Sequence, residues 1–415
     1  MTIQNEKKNS PNPLFPDDRL TPRDRVLNIL DHKEADRVPL TELSMDSAVI
    51  AKYYGSKQLL AILNSKVLSL AKLIPFWRHL VGFGMKSKAI IVSQMKGVID
   101  LYSKMGFDIV FTPLGLFPTK GHNREWRKKI LPDPRHYVDE FGRMFQLIDT
   151  KYGIISYYKD GILKTPELYD KFGPIDPDHP ARMAVANSVL KLTKNKEGRE
   201  YIFPIPALFG VVESTWEGMG LTAFSKYVRK DKKFIKRVMK DRADFTITMA
   251  KKIAHLDYPV MLIYDDYGYK QGPFLSPKNF KELVIPQLQR IVDGVHKAGM
   301  KLMLHSCGNL NEILDDIIST GVDALHPIEP TAYMDIFKIK EKYGEKVTLM
   351  GNVSPQDLQD KPPDYIREYV RKLMSKLPKN GGYIFSSGHS INPAVELDNY
   401  LAMRDEFKKH CYYEK

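Results

Sequence analysis

Short apolar runs alternate along the chain with longer segments of helical periodicity. Eight runs are brief and rich in β-branched or aromatic residues: 38–43, 108–113, 201–206, 260–264, 301–305, 322–327, 347–351 and 382–386. The longer segments repeat apolar residues every three to four positions, as helices packed on a core do, over 233–256, 277–298, 310–320 and 364–377. Strand, helix and strand in repeated order favour a parallel sheet with outer helices, and eight such units predict a (β/α)8 TIM barrel of the α/β class.

The ends and insertions of this pattern predict the domain organisation. Residues 1–20 are polar and Pro-rich, without the apolar core of a signal peptide, and predict a flexible N-terminal arm before a single barrel domain over residues 21–415. A helix is expected from Pro22 to Asp31, with Thr21 as its N-cap. The segments 44–104 and 119–199 are too long for one crossover helix each and predict insertions. Within the second, Val138 to Ile155 is typical of a β-hairpin with a turn at Gly142.

Composition limits the class of protein. The formal net charge of +13 suggests either an acidic partner or a lysine-rich solvated surface. The basic residues are spread widely and are not interleaved with aromatic residues, so nucleic acid is not expected as a partner. The most apolar stretch, Leu59 to Val81, is interrupted by Asn64, Lys66, Lys72 and Arg78 and therefore predicts packed helices and no membrane span. Two cysteines exclude a disulfide framework and indicate a cytoplasmic protein.

Residues that can bind a metal ion follow the predicted strands. His305 and Cys307 come after the fifth run, and residues i and i+2 of an extended strand point to the same side. His389 follows the eighth run, from which it can reach the same ion across the barrel mouth. An imidazole and a thiolate suit zinc, and three protein ligands with an open fourth position are typical of catalytic zinc. The alternative is a buried apolar Cys307 beside a hydrogen-bonded core histidine.

Carboxylates and aromatic residues accompany this set. Asp265 and Asp266 are catalytic candidates as substrate ligands or proton acceptors, or both cap the helix or turn that follows them. Glu329 is a candidate to orient a ligand histidine from behind. The candidate substrate-binding residues, with ordinary packing as the alternative, are Tyr264, Tyr267, Phe209, Trp216 and Asn352. The second thiol, Cys411, is expected to be a surface or packing residue.

Several motifs together resemble the uroporphyrinogen decarboxylase superfamily and, within it, the corrinoid-dependent methyltransferases. They lie between about Thr21 and Tyr413 and read TPRDRVLNILDHKEADRVP, DEFGR, DDYGYKQGPFLSP, HSCGNL, GVDALHPIEP, GNV and GGYIFSSGHSINPAVELDNYLAM. HSCGN and the last motif are the most specific. The resemblance implies a TIM barrel and methyl transfer between a small molecule and a corrinoid carried by a partner protein.

The resemblance also implies a zinc site, with one departure. In the methyltransferase branch a His-x-Cys pair, matched here by His305 and Cys307, binds zinc together with a cysteine near the last strand. His389 stands where that cysteine is expected. Decarboxylases have a histidine there, but also an N-terminal arginine cluster and an aspartate after the second strand. This chain has no such cluster, and Pro113 and Leu114 lie near the expected aspartate. Decarboxylation is therefore the less favoured alternative.

The ligand set suggests the type of methyl transfer. One thiolate and two neutral imidazoles leave zinc more positive than several thiolates do, which makes it a better Lewis acid. Such a metal suits the polarisation of an ether oxygen. The hypothesis is therefore a zinc-dependent O-demethylase that passes the methyl group of a methoxylated aromatic compound to the Co(I) of a corrinoid protein. The alternatives are a methylcobamide:thiol methyltransferase of the coenzyme M type and a metal-free binding barrel. A homodimer is compatible with the sequence, which does not define the oligomeric state.

Overall fold

The structure is a computed structural model that describes residues 14–54, 88–114, 136–150, 153–179 and 182–413. The elements in chain order are α1 Pro22–Leu30, α2 Ser47–Tyr54, α3 Lys88–Lys104, β1 Ile109–Pro113, β2 His136–Val138, β3 Arg143–Thr150, β4 Gly153–Gly161, α4 Pro166–Phe172, α5 Ala186–Leu192, β5 Phe203–Phe209, α6 Val211–Met219, α7 Leu221–Lys230, α8 Lys232–Ala254, β6 Val260–Tyr264, β7 Gly268–Tyr269, β8 Gly272–Pro273, α9 Pro277–Leu283, α10 Ile285–Lys297, β9 Lys301–His305, α11 Leu314–Ser319, β10 Ala324–His326, α12 Ile336–Tyr343, β11 Thr348–Val353, α13 Pro355–Asp360, α14 Pro363–Lys376, β12 Tyr383–Ser387 and α15 Leu397–His410.

The central sheet has seven parallel strands in the order β1-β5-β6-β9-β10-β11-β12. Residues 39–41, which precede β1 in the chain, lie between β1 and β12, the two edge strands of this sheet. Phe385 of β12 donates its N–H to the Pro39 carbonyl at 2.9 Å, and Thr41 donates to the Phe385 carbonyl at 3.1 Å. On the other side Asp108 donates to the Leu40 carbonyl at 2.7 Å. The first predicted run, 38–43, therefore takes the eighth position of the ring, and the TIM-barrel prediction is confirmed.

The interior of the barrel is apolar, and α1 closes its amino end. Alternate residues of the strands, among them Phe203 and Ile205, form a buried cluster with Val26, Ile29 and Leu30 of α1. The Ile29 carbonyl accepts a bond from the Thr348 hydroxyl, at the first residue of β11. Helix α1 begins as predicted, because Thr21 accepts a bond from the N–H of Asp24 and Pro22 occupies the first turn. Because α1 covers the amino end, a functional site is expected at the carboxyl end of the barrel.

Residues 14–20 pack on the barrel. Phe15 is buried edge-on against Phe407 of α15, and the Asp18 carboxylate pairs with the buried guanidinium groups of Arg25 and Arg37. The predicted flexible arm over residues 1–20 is therefore joined to the barrel in this part. Its first thirteen residues lie outside the described residues.

The second insertion contains the predicted hairpin within a three-stranded antiparallel sheet, β2-β3-β4. Gly142 forms the turn before β3 with φ +83°, and a Cβ there would lie 2.5 Å from the Leu163 side chain, so this position requires glycine. The apolar stretch Leu59–Val81 lies outside the described residues. Among the described helices, none is long and apolar enough to cross a membrane.

One predicted helix is divided in the structure. The segment 277–298 forms α9 and α10, with Val284 between them. Pro286 lies in the first turn of α10, where its missing N–H costs no helical hydrogen bond. The apolar periodicity continues across the break, which explains why a single helix was predicted.

Candidate functional site

The carboxyl ends of β9 and β6 bring three metal-binding side chains together. His305 ends β9, and its Nε2 lies 3.3 Å from Sγ of Cys307, two residues further along. Asp266, just past β6, accepts the Cys307 N–H on Oδ1 at 2.8 Å, and the same oxygen lies 3.6 Å from His305 Nε2. One ligand atom from each residue lies within 4.8 Å of the others. We call Asp266, His305 and Cys307 the donor cluster.

Close backbone packing supports the turn that carries Cys307. Gly308 adopts φ +90°, and a Cβ there would lie 2.3 Å from the Gly268 backbone, so glycine is required. The Gly308 N–H donates to Glu329 at 2.9 Å, and Glu329 also accepts the Thr331 hydroxyl at 2.7 Å. Glu329 therefore stabilises the turn at Gly308 through this hydrogen bond. Its observed bond is to the backbone beside Cys307 rather than to a ligand histidine.

His389 lies next to the donor cluster but outside it. Its ring centroid is 6.4 Å from that of His305, and its side chain is exposed on the loop after β12. The structure thus places all three predicted metal ligands at one mouth of the barrel. Asp266, which was predicted as a catalytic residue, completes the donor cluster with His305 and Cys307.

Burial sets the protonation of the donor cluster. It lowers the pKa of His305 below its usual range, so the ring stays neutral and keeps a lone pair for a metal. Burial also raises the pKa of the Cys307 thiol, and the carboxylates of Asp266 and Glu329 raise it further. A thiol in this setting gains most from a nearby cation, because a metal ion reverses the local charge balance.

Asp265 faces away from this group, into the start of α6. Its carboxylate is fully buried and accepts the N–H groups of Val211, Val212 and Glu213 at 2.7 to 3.1 Å. Burial raises its pKa to about 7. These bonds match the capping alternative, although the capped helix precedes Asp265 in the chain.

The predicted substrate-binding residues fall into two groups. Tyr264 packs edge-on against His305 with centroids 5.6 Å apart, and Phe209 lies 6.3 Å from Tyr264. Trp216 lies further along α6, between Tyr158 and Phe274.

The other two candidates are buried in packing or hydrogen bonds. Tyr267 packs on Phe280. Asn352 is also buried, and its amide donates to the Ile328 carbonyl and accepts from Tyr369, both at 3.0 Å. Among these five candidates, Tyr264 packs directly on the metal candidate His305, and Phe209 lies behind it against Tyr264.

Two residues at the site were assigned no role from the sequence. His326 ends β10, and its Nδ1 lies 2.6 Å from Nδ1 of His305. Glu213, in the first turn of α6, is largely buried. Its pKa is raised to about 8, first by burial and then by the charge of Asp266. The sequence could not predict that His326 lies next to His305 or that Glu213 lies near Asp266, because both contacts depend on how the strands are arranged in the sheet.

A family model described as "Uroporphyrinogen decarboxylase (URO-D)" matches residues 146–410, well over half of the chain. The chain belongs to the uroporphyrinogen decarboxylase family. The resemblance seen in its motifs is thereby confirmed.

Relatives within this family carry two different names. A uroporphyrinogen decarboxylase of Hydrogenovibrio crunogenus is 32% identical over 132 residues, which are 31% of this chain and 36% of that protein. The methylcobamide:CoM methyltransferase MtaA of Methanosarcina barkeri is 26% identical over 231 residues, 54% of this chain and 64% of that protein. Both matches span less than two thirds of the relative's own length.

A methyltransferase from Methanosarcina mazei has a similar structure. The comparison covers 94% of this chain and 99% of that one, with a TM-score of 0.61 and 19% sequence identity. At this identity the likeness shows the fold alone.

Proposed function

We propose that this protein is a zinc-dependent methyltransferase that moves a methyl group from a methoxylated aromatic compound to the Co(I) of a corrinoid protein. The observation that carries the proposal is the donor cluster at the barrel mouth, where an imidazole, a thiol and a carboxylate lie within 4.8 Å of one another. The similarity to a methylcobamide:CoM methyltransferase over 54% of the chain supports methyl transfer as the reaction class.

The donor types fit zinc. Nitrogen, sulfur and carboxylate oxygen are its usual ligands, whereas magnesium and calcium prefer oxygen alone. His305 and Cys307 are the buried pair in this proposal, and Asp266 and His389 are the candidates for the third ligand. Because a catalytic zinc keeps a position for substrate, we propose one of these two as ligand, and the shorter distances favour Asp266. Zinc bound here would act as a Lewis acid toward a substrate oxygen.

The surroundings of the donor cluster suit a neutral aromatic substrate. Tyr264 packs edge-on against His305 and Phe209 lies next to Tyr264, and such rings pack well against another aromatic ring. The carboxylates of Asp266 and Glu329 lie at the same mouth. This arrangement disfavours the decarboxylase alternative, because a tetrapyrrole that bears many carboxylates would be repelled.

A second candidate is a methylcobamide:thiol methyltransferase of the coenzyme M type. The specific observation in its favour is the Methanosarcina barkeri relative, whose name states that activity. In this reaction the methyl group moves in the opposite direction, from the corrinoid to a thiol. The donor cluster is compatible with it, because zinc also binds thiolates well.

One assay separates the candidates. The zinc-loaded protein is mixed with cob(I)alamin and a panel of methoxyarenes and methylamines, and separately with methylcobalamin and thiols, while the cobalamin spectrum is followed. We expect methylcobalamin to form with at least one methoxyarene, and Cys307→Ala to remove this activity while Cys411→Ala retains it. Activity with thiols alone would favour the coenzyme M type reaction, and no methyl transfer in either direction would overturn both.

A further inference from the structure

Strand register places a histidine directly beside His305. In the parallel sheet Tyr264 pairs with His305, and His305 pairs with His326. Residues that are opposite one another on parallel strands have side chains on the same face. The two imidazole rings accordingly lie side by side, with centroids 4.9 Å apart and planes inclined by 30°.

The contact between the rings is a hydrogen bond between their Nδ1 atoms, which are 2.6 Å apart. Two N–H groups cannot face each other at this distance, so one nitrogen carries the hydrogen and the other accepts it. The remaining nitrogen of His305, Nε2, is the one that faces Cys307 and Asp266. The state of the Nδ1 pair therefore decides whether His305 offers the donor cluster a lone pair or an N–H.

We propose that His326 is a positioning residue for the zinc ligand His305. It accepts the Nδ1 hydrogen of His305, holds the ring in one orientation and leaves the lone pair of Nε2 for the metal. This inference rests on the proposed zinc site. The ring nitrogen of a ligand histidine that does not bind the metal commonly donates its N–H to a carboxylate, a backbone carbonyl or water. In this site the acceptor is the imidazole of His326.

The position of His326 suits this role. Its side chain is 1% exposed, so the environment of the barrel interior, rather than bulk water, fixes the ring. It is not in the donor cluster itself, which among the described residues comprises Asp266, His305 and Cys307. The preceding strand residues Ala324 and Leu325 are apolar and buried, so His326 brings a polar group to the end of an otherwise apolar strand.

A matched pair of variants tests the proposal. Asparagine and leucine have similar size and shape, but only asparagine offers an acceptor, its Oδ1, near the place of Nδ1. Zinc affinity is measured by competition with a chromophoric chelator, and folding is monitored by thermal unfolding. We expect His326→Leu to weaken zinc binding by about 10–100-fold, the range seen when the outer partner of a ligand is lost, and His326→Asn to recover most of that loss.

Further readouts separate the possible failures. In the cobalt(II)-substituted protein, the thiolate charge-transfer band should persist in His326→Leu, which shows that Cys307 still binds. His326→Met and His326→Gln serve as a second apolar and acceptor pair if the first pair folds poorly. Equal affinity of wild type and His326→Leu, or equally weak binding by the Leu and Asn variants, would overturn the role of His326 alone. A wild-type protein that binds no zinc would overturn the proposed zinc site as well.

Discussion

Cys307 and Cys411 are both buried thiols with different neighbours. Cys307 has the imidazole of His305 at 3.3 Å, whereas Cys411 contacts the Lys408 carbonyl at the end of α15. Both thiols have raised pKa values because they are buried. What distinguishes them is therefore the set of donor atoms nearby and not burial.

This difference supplies a matched control for the metal. We expect Cys307→Ala to reduce zinc from about one ion per chain to near none, because a site without its thiolate keeps only weaker donors. Cys411→Ala should retain the wild-type content. Elemental analysis of the purified variants is the measurement. Full zinc in Cys307→Ala would show that carboxylates and histidines anchor the ion.

The third ligand can be identified by two further substitutions. Asp266→Asn removes an anionic donor but keeps an acceptor for the Cys307 N–H, and His389→Asn removes the exposed imidazole. We expect zinc affinity to fall more in Asp266→Asn, by at least about tenfold, since loss of an outer partner alone has that effect. Chelator competition measures both. A larger loss in His389→Asn would instead support the ligand set predicted from the sequence.

At the scale of elements, a buried carboxylate connects the segment 38–43 to β12. Glu42 is fully buried and accepts bonds from the N–H and the hydroxyl of Ser387. Burial raises its pKa from 4.5 to about 8. The folded protein therefore binds this proton more tightly than the unfolded chain does.

The sign of the pH effect follows from this difference. Because the folded-state pKa is the higher one, the stability contribution is complete below the unfolded pKa and is lost as the pH rises through the folded pKa. We expect the free energy of unfolding to fall between roughly pH 5 and pH 8, and Glu42→Gln to reduce that fall by on the order of 1–4 kcal/mol. Urea unfolding over this range is the measurement, with the exposed Glu312→Gln as control. Equal pH dependence in wild type and Glu42→Gln would contradict the assignment.

At the scale of the whole molecule, a buried ionic network holds the ring closed. Asp108, just before β1, binds the guanidinium groups of Arg25 and Arg37 at 2.5 and 2.7 Å and accepts the Leu40 N–H at 2.8 Å. Arg25 belongs to α1, Arg37 and Leu40 to the segment after it, and Asp108 immediately precedes β1. The network therefore joins the first part of the chain to the barrel at its amino end.

Removal of one partner from such a network leaves buried charges unmatched. We expect Asp108→Ala to lower the free energy of unfolding by about 3–5 kcal/mol, as for other buried pairs. Asp316→Ala, which breaks an exposed contact with Lys281 at 3.1 Å, should cost about 0–1 kcal/mol. Denaturant unfolding compares the two. Similar small effects in both variants would show that the arginines find other partners.

The sequence by itself determined the barrel and the types of donor atom at its mouth. Alternating apolar runs and helical segments follow from local periodicity, and strand ends are readable because polar residues and glycines interrupt each run. His305 and Cys307 share a face because they are two residues apart in an extended strand end, which is a local property. The division of 277–298 at Val284 was missed because apolar periodicity does not report a break in hydrogen bonding.

Only the tertiary structure decided which side chains from different strands meet. The register of β6, β9 and β10 places Tyr264 and His326 on either side of His305, and no local pattern contains that register. The turns after β6 and β9 bring Asp266 onto the Cys307 backbone and direct Asp265, its neighbour in sequence, into the start of α6. Adjacent residues of extended backbone face opposite sides, so the separate roles of these two carboxylates just past β6 depend on what lies on each side.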